Sequence, residues 1–264
     1  MRFFWSVLFL TLCGSADLRA GGLNLMVVPS RAVLTDQDRS AAFVLTNSST
    51  IAATLELSFV NLEMDGEGRV REAPGAPAAI TEQLLVGPDT THLEPGESQV
   101  FRVLLSHPEK LQPGEYRIHL LFRNLTSESE VALKGPVSEA AGALAPTVFG
   151  LAVPLIIRHQ TTPSHVTIQG LSLQGGAAPT LNLALVREGQ QSVFGDFRVS
   201  LIPRSGAEIL LANIKGIAVY TSQKQRQVQI RLPGTPWPAD GRLVVTFHAQ
   251  DQVANAQADL LLGH

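Results

Sequence analysis

The feature that most constrains this chain is a strict two-residue alternation of apolar and polar side chains, repeated along most of its length. Leu55, Leu57 and Phe59 alternate with Thr54, Glu56 and Ser58. Tyr116, Ile118, Leu120 and Phe122 face one way, and Arg117, His119 and Arg123 the other. The pattern returns in Leu181, Leu183 and Leu185, in Phe197, Val199 and Leu201, in Val228, Ile230 and Leu232, and in Leu243, Val245 and Phe247. Successive side chains of a strand point to opposite faces, so each run predicts a strand with one buried face. No amphipathic helix of ordinary length is evident. Asp65-Gly66, Pro95-Gly96, Pro113-Gly114, Gly175-Gly176, Ser205-Gly206 and Asp240-Gly241 punctuate the runs as turns. Short strands between such turns indicate sandwiches or barrels.

The chain has 264 residues, 45% hydrophobic and 16% charged, which is ample for a buried core. A net charge of -3 without basic runs argues against nucleic acid as a partner. The N-terminus reads as a secretory signal. Arg2 precedes the apolar run Phe3 to Cys13, which is too short to span a bilayer as a helix. Cleavage after Ala16 or Ala20 satisfies the small-residue rule, and Ala20 is preferred because strand-like sequence begins just beyond it. No later run has the length and apolarity of a membrane span. Cys13 is the one cysteine and lies in the leader, so the exported chain holds together by core burial without disulfides. The expected domains are a signal peptide at 1–20 and two immunoglobulin-like β-sandwiches at 21–160 and 161–264. Their border falls at His159 to Pro163, a polar stretch closed by proline. Glu72 to Ile80 and the longer Leu125 to Pro146 break the rhythm and read as loops.

No catalytic constellation is present. The seven histidines lack metal-ligand spacing, and no HExxH, GxSxG or phosphate-binding glycine loop occurs. His119 falls on a face expected to be exposed, and His92, His107 and His159 fall in or beside turns. The expectation is a binding protein with no metal and no cofactor, not an enzyme.

Several segments, in order, resemble the periplasmic chaperones of pilus assembly. Val28 to Leu34 (VPSRAVL) resembles their first strand, and Arg39 to Asn47 (RSAAFVLTN) their second. Leu93-Glu94-Pro95-Gly96 followed by Val100 to Val103 is similar to a further segment. Pro113 to Arg123 and Phe149 to Arg158 resemble the divergent, archaic-type branch. Ser192 to Asp196 (SVFGD) and Gly216 to Tyr220 (GIAVY) match in the second half. The resemblance implies two immunoglobulin-like sandwiches set at an angle, with a cleft between them. It implies a periplasmic protein that lends a strand to pilus-type subunits, and it admits an outer-membrane usher as a further partner. A pilus-type subunit lacks one strand, and a lent edge fills its groove. The alternative is a chaperone-like structural module of a surface assembly that does not cycle subunits.

The resemblance also implies site residues. Arg31 aligns with the cleft arginine that holds the subunit's C-terminal carboxylate, a task suited to a planar, permanently charged guanidinium. The bland alternative is a solvated arginine. The lysine that serves as second anchor in the family is replaced here by Pro154. Arg158 shares that strand face but lies about 13 Å further along, a weaker candidate anchor. Arg102, Glu115 and Asp251 align with an interdomain charge cluster. The donor strand is expected where the long loop enters the strand ending at Arg158, with Leu144, Phe149, Leu151 and Val153 as its apolar residues. Phe149, Leu151 and Val153 form one face, Val148, Gly150 and Ala152 the other. Which face meets the client is left open, and Val131, Leu133 and Val137 of the loop are a second possibility.

Overall fold

The computed structural model describes residues 23–75, 78–125, 150–176, 178–234, 240–250 and 255–262. Strand dominates the described residues, at 65%, with 3% helix. The helical exceptions are one turn at Ala78–Thr81 and a short 3-10 turn at Pro108–Lys110. The first of these lies at the end of the segment expected to be a loop. Ile80 is 2% exposed, so the turn folds an apolar side chain into the core.

Two sheets make the first sandwich. One holds β1 (Leu25–Val28), β3 (Ser40–Asn47), β9 (Ser98–Leu105) and β7 (Leu84–Gly87), in that order. The other runs β2 (Ala32–Thr35), β11 (Gly150–His159), β10 (Gly114–Asn124), β4 (Ala53–Val60) and β8 (Thr90–Leu93). The chain thus changes sheet between Val28 and Ala32. It pairs first with β3, then in parallel with β11. The alternating residues meet between the sheets. Phe43, Leu45, Phe101, Ile118, Leu120, Phe122, Leu155 and Ile157 are fully buried, and Phe101 packs edge-on against Phe122. Burying each such side chain contributes about 1.5–3 kcal/mol. Tyr116, at the start of β10, donates its hydroxyl hydrogen to the carbonyl of Gln112 at 2.6 Å. This is the tyrosine corner of immunoglobulin-like sandwiches.

The second sandwich packs β12 (His165–Gln174), β13 (Thr180–Glu188) and β16 (Gln225–Arg231) against a sheet ordered β15 (Ile209–Val219), β14 (Val193–Pro203), β17 (Gly241–Ala249) and β18 (Asn255–Leu262). Its core gathers Leu181, Leu185, Phe197, Val199, Leu243, Val245 and Phe247. Gly195 is needed where β14 and β17 approach, because a Cβ there would lie 2.1 Å from the His248 carbonyl oxygen. The two cores are separate. The first ends in sequence at Ile157 and the second begins at Val166.

A two-stranded hairpin, β5 (Leu62–Met64) with β6 (Val70–Glu72), reaches from the first sandwich to the second. Its turn is set by Asp65, which accepts the backbone N–H groups of Glu67 and Arg69. The Gly66 carbonyl accepts the N–H of Gln227 on β16. Gly68, at φ 85°, lies under the Arg226 guanidinium, where a Cβ would sit 2.4 Å from Nη2.

Candidate functional site

The site is built around β11, whose two halves have different neighbours. β10 pairs with it along its whole length, Arg123 opposite Gly150 and Gly114 opposite His159. On the other side β2 covers only Leu155 to Arg158, with Ala32 opposite Leu155. Among the described residues, Gly150 to Pro154 therefore have no strand along that edge. Arg31 immediately precedes Ala32, so it stands where the covered edge ends and the bare edge begins. Pro154 sits at that border. A proline, lacking an N–H, is tolerated where the ladder is incomplete.

Side-chain direction along β11 follows the pleat. Val153 is buried in the first core and Leu151 packs partly against it. Both therefore point inward in this chain alone, with Gly150 and Ala152 on the other face. Leu144, Phe149, Val131, Leu133, Val137 and Val148 lie outside the described residues, as does Asp251.

The outer face of this sheet near the end of β11 is closed. Ile156 is 0% exposed yet belongs to neither core, and the Arg158 and Glu115 side chains are 7% and 1% exposed. Arg158 Nε donates to Glu115 Oε2 at 2.9 Å, and its Nη2 donates to the Ser192 carbonyl at 2.9 Å. The Ser192 N–H donates in turn to Glu115 Oε2 at 2.9 Å. An ion pair buried this deeply holds only when its remaining hydrogen-bonding capacity is met, and Ser192 of the second sandwich helps to meet it. Arg158 is thus engaged at the junction of the sandwiches, a correction to its expected place as a subunit-carboxylate anchor. Glu115 is at the same junction, bound to Arg158 and to the Ser192 N–H. Arg102 is not: it alternates with Phe101 and Val103, so it projects from the outer face of β9, in the opposite sheet.

Further contacts surround this pair. Arg117 lies 3.7 Å over the Tyr220 ring and donates to the Leu62 carbonyl at 2.8 Å, tying together the hairpin and both sandwiches. Arg187 is buried in the second sandwich, and its Nη1 donates to the carbonyls of Gly189 and Gln191. Burial lowers its pKa, partly offset by the charge of Glu115. Asp36 receives His159 Nδ1 at 2.6 Å on one oxygen and the Gln160 N–H at 3.0 Å on the other, clamping the exit from β11. The hydrogen bond from His159 holds the Asp36 carboxyl below its ordinary value.

Two histidines depart from expectation. His159 is 5% exposed in that clamp. His119 is 7% exposed, flanked by Pro154 and Val60 on neighbouring strands. Burial, and then the nearby charge of Arg117, push its pKa down to about 4. His119 lies on the outward face that alternation marked as polar, whereas His159 shares the inward parity of Leu155 and Ile157 and is covered by Asp36 of its own sandwich.

Arg31 opens onto a pocket of about 270 Å³ lined by Pro29, Ser30, Arg31, Phe194 and Gln250. The first three come from the first sandwich and the last two from the second, so the pocket is the floor of a cleft between them. Arg31 lies 4.9 Å from the centroid of the Phe194 ring. Sequence reasoning missed Arg117, Tyr220 and Phe194. Their signal was present in the segments Pro113 to Arg123, Ser192 to Asp196 and Gly216 to Tyr220, which carried a resemblance but gave these three residues no role. Among the described residues no group of three or more potential ligands could hold a metal ion, and no helix is long and apolar enough to cross a membrane.

No family model matches this chain, and no curated protein matches it in sequence. Its structural neighbours are pilus chaperones. One is the CsuC–CsuE chaperone–tip adhesion subunit pre-assembly complex of archaic chaperone-usher Csu pili of Acinetobacter baumannii, at 12% identity, with 89% of this chain and 97% of that chain covered and a TM-score of 0.45. Another is the YadV chaperone, at 11% identity, covering 90% and 99%, with a TM-score of 0.43. A third is the Pseudomonas aeruginosa CupB2 chaperone, at 14% identity, covering 90% and 100%, with a TM-score of 0.40.

Proposed function

We propose that this protein is a periplasmic chaperone that binds pilus-type subunits by lending them a strand edge and delivers them for assembly, with an outer-membrane usher as the receiving partner. In this reading residues 1–20 are the export signal, and 21–160 and 161–264 are the two domains. No catalysis, metal or cofactor is involved. The observation that carries the reading is the half-bare edge of β11 with Arg31 at its end. β2 runs parallel to β11. A client strand that took up the same direction along Gly150 to Pro154 would end beside Arg31, bringing its terminal carboxylate to a guanidinium. Strand addition supplies backbone hydrogen bonds, and the terminal charge sets the register.

The test uses a pilus-type subunit that lacks its last strand. Arg31→Ala should weaken binding of that subunit by about 2–5 kcal/mol while leaving the thermal midpoint of the free chaperone unchanged. Equal affinity for the two chaperones would remove Arg31 from the site.

The internal engagement of Arg158 and the proline at position 154 favour a second reading, a chaperone-like structural module that does not cycle subunits. It predicts a partner that stays bound through assembly, whereas a chaperone releases its client.

A further inference from the structure

The segment Ser192 to Asp196 contains an aromatic residue that its own core does not use. Val193 and Phe197 belong to the second core, and Phe194 does not. It stands on the outer face of β14, half-buried, against Arg31 of the first sandwich. An aromatic ring on an outer face, met by a cation from another domain, calls for an explanation other than packing of its own sandwich.

The surroundings of Phe194 hold it in place. Its carbonyl accepts the backbone N–H of Gln250 at 2.8 Å. The next residue, Gly195, lets β17 approach too closely for any side chain. Two residues on, Asp196 Oδ1 accepts the Gly216 N–H at 2.9 Å and Gln250 Nε2 at 3.2 Å. Gly216, at φ 74°, lets β15 bend toward the ring, with its Cβ direction 3.7 Å from Phe194 Cζ. Three segments of the second sandwich, β14, β15 and β17 with the Gln250 that follows it, thus fix one ring that faces a half-buried Arg31.

We infer that Phe194 is a positioning residue for Arg31: its ring holds the guanidinium over the cleft floor so that the cation is presented to a carboxylate entering from the bare edge of β11. The inference rests on the reading of Arg31 as a carboxylate anchor. An arginine side chain has many rotamers, and any of that freedom lost on arrival of the ligand weakens binding. Attraction between the cation and the ring quadrupole reduces that loss. It also makes the anchor composite, because the orientation of a first-sandwich arginine depends on a second-sandwich ring.

The experiment uses the full mature chain and two small probes, acetylglycine for a terminal carboxylate and acetylglycinamide as its neutral twin. The Arg31 Nε–Hε resonance, assigned by its loss in Arg31→Ala, reports both ring proximity and probe binding. Phe194→Leu should shift this resonance by removing the ring current and weaken acetylglycine about three- to tenfold. Phe194→Tyr, which keeps the ring, should restore both, which a general packing role would not require. If Phe194→Leu leaves resonance and affinity unchanged while Arg31→Ala abolishes acetylglycine binding, the inference is overturned and the anchor stands. If acetylglycine binds no better than acetylglycinamide, or binds equally to Arg31→Ala, the anchor reading falls and the inference with it.

Discussion

The two ends of the five-stranded sheet share strands, alternation and core, and differ in what lies beyond them. At the Gly114 and His159 end, β2 completes the edge and the second sandwich closes the outer face, leaving Ile156 fully buried. At the Asn124 and Gly150 end, among the described residues, β11 has a partner strand on one side only, and Arg123 meets Glu56 on an exposed surface. One end is therefore held on both faces and both edges, and the other, among the described residues, by its inward face and by a ladder on one edge. The difference teaches that a strand can be fixed in place and still offer an edge, provided that its anchorage and its bare stretch lie at opposite ends.

The strongest way to break this comparison is to remove the anchorage. Glu115→Ala would leave Arg158 buried without its carboxylate and would deprive the Ser192 N–H of its acceptor. Loss of one partner of a buried pair typically costs about 3–5 kcal/mol. Urea unfolding of the variant should show that loss. The exposed pair Arg123 and Glu56, cut by Glu56→Ala, should cost less than about 1 kcal/mol. Equal losses at the two pairs would mean that the ends do not differ.

A smaller contrast exists within β11 itself, on the core-facing side. Leu155→Ala removes a side chain with no exposure and should cost about 2–5 kcal/mol. Leu151→Ala, where the side chain is only partly covered, should cost about 1 kcal/mol. The same pair can be read by hydrogen exchange: amides in the stretch covered by β2 should be protected, and those of Gly150 to Val153 that point away from β10 should exchange rapidly. A Leu151 variant as destabilised as the Leu155 one would show that the bare end is as tightly built as the covered end.

How much of this was legible beforehand depends on which face of a strand is considered. The inward faces were readable because alternation reports them directly, as Ile118, Leu120 and Phe122 illustrate. The outward faces were not. A polar residue opposite a core position reads as solvated, and nothing local says that another sandwich will cover it. Arg158 was misplaced for that reason, since its partner Ser192 belongs to the other sandwich. His119 points outward from the same sheet, while His159 points the other way and is covered by Asp36 of its own sandwich. The bond from Ser192 to Glu115 joins residues 77 apart in sequence, beyond the reach of any spacing rule. Arg102 failed differently, since it projects from the sheet opposite the one that carries Glu115, and alternation alone does not say which sheet a strand joins. The Arg31 cleft was legible only through resemblance, and its aromatic neighbour only after the two halves of the chain were brought together.

A pH-dependent contrast concerns His119, which sits near the border of the two ends, opposite Pro154. Its pKa is pushed down to about 4 from an ordinary value of 6.5, first by burial and then by the charge of Arg117. The unfolded chain therefore binds a proton between these values where the folded chain does not. Stability from this group is fully present above about pH 6.5, declines as pH falls toward 4, and is lost below that. The size of the loss is at most about 3 kcal/mol, from 1.36 kcal/mol per unit. His119→Gln keeps a side chain able to donate to the Val60 carbonyl and removes the titration. Urea unfolding across this range should then show a shallower fall in stability for the variant than for the native chain. Taking the difference between the two proteins cancels the contributions of the other histidines, including His159 in its clamp with Asp36. If both curves fall with the same slope, His119 titrates as a solvated histidine, and the closed outer face does not extend as far as Pro154.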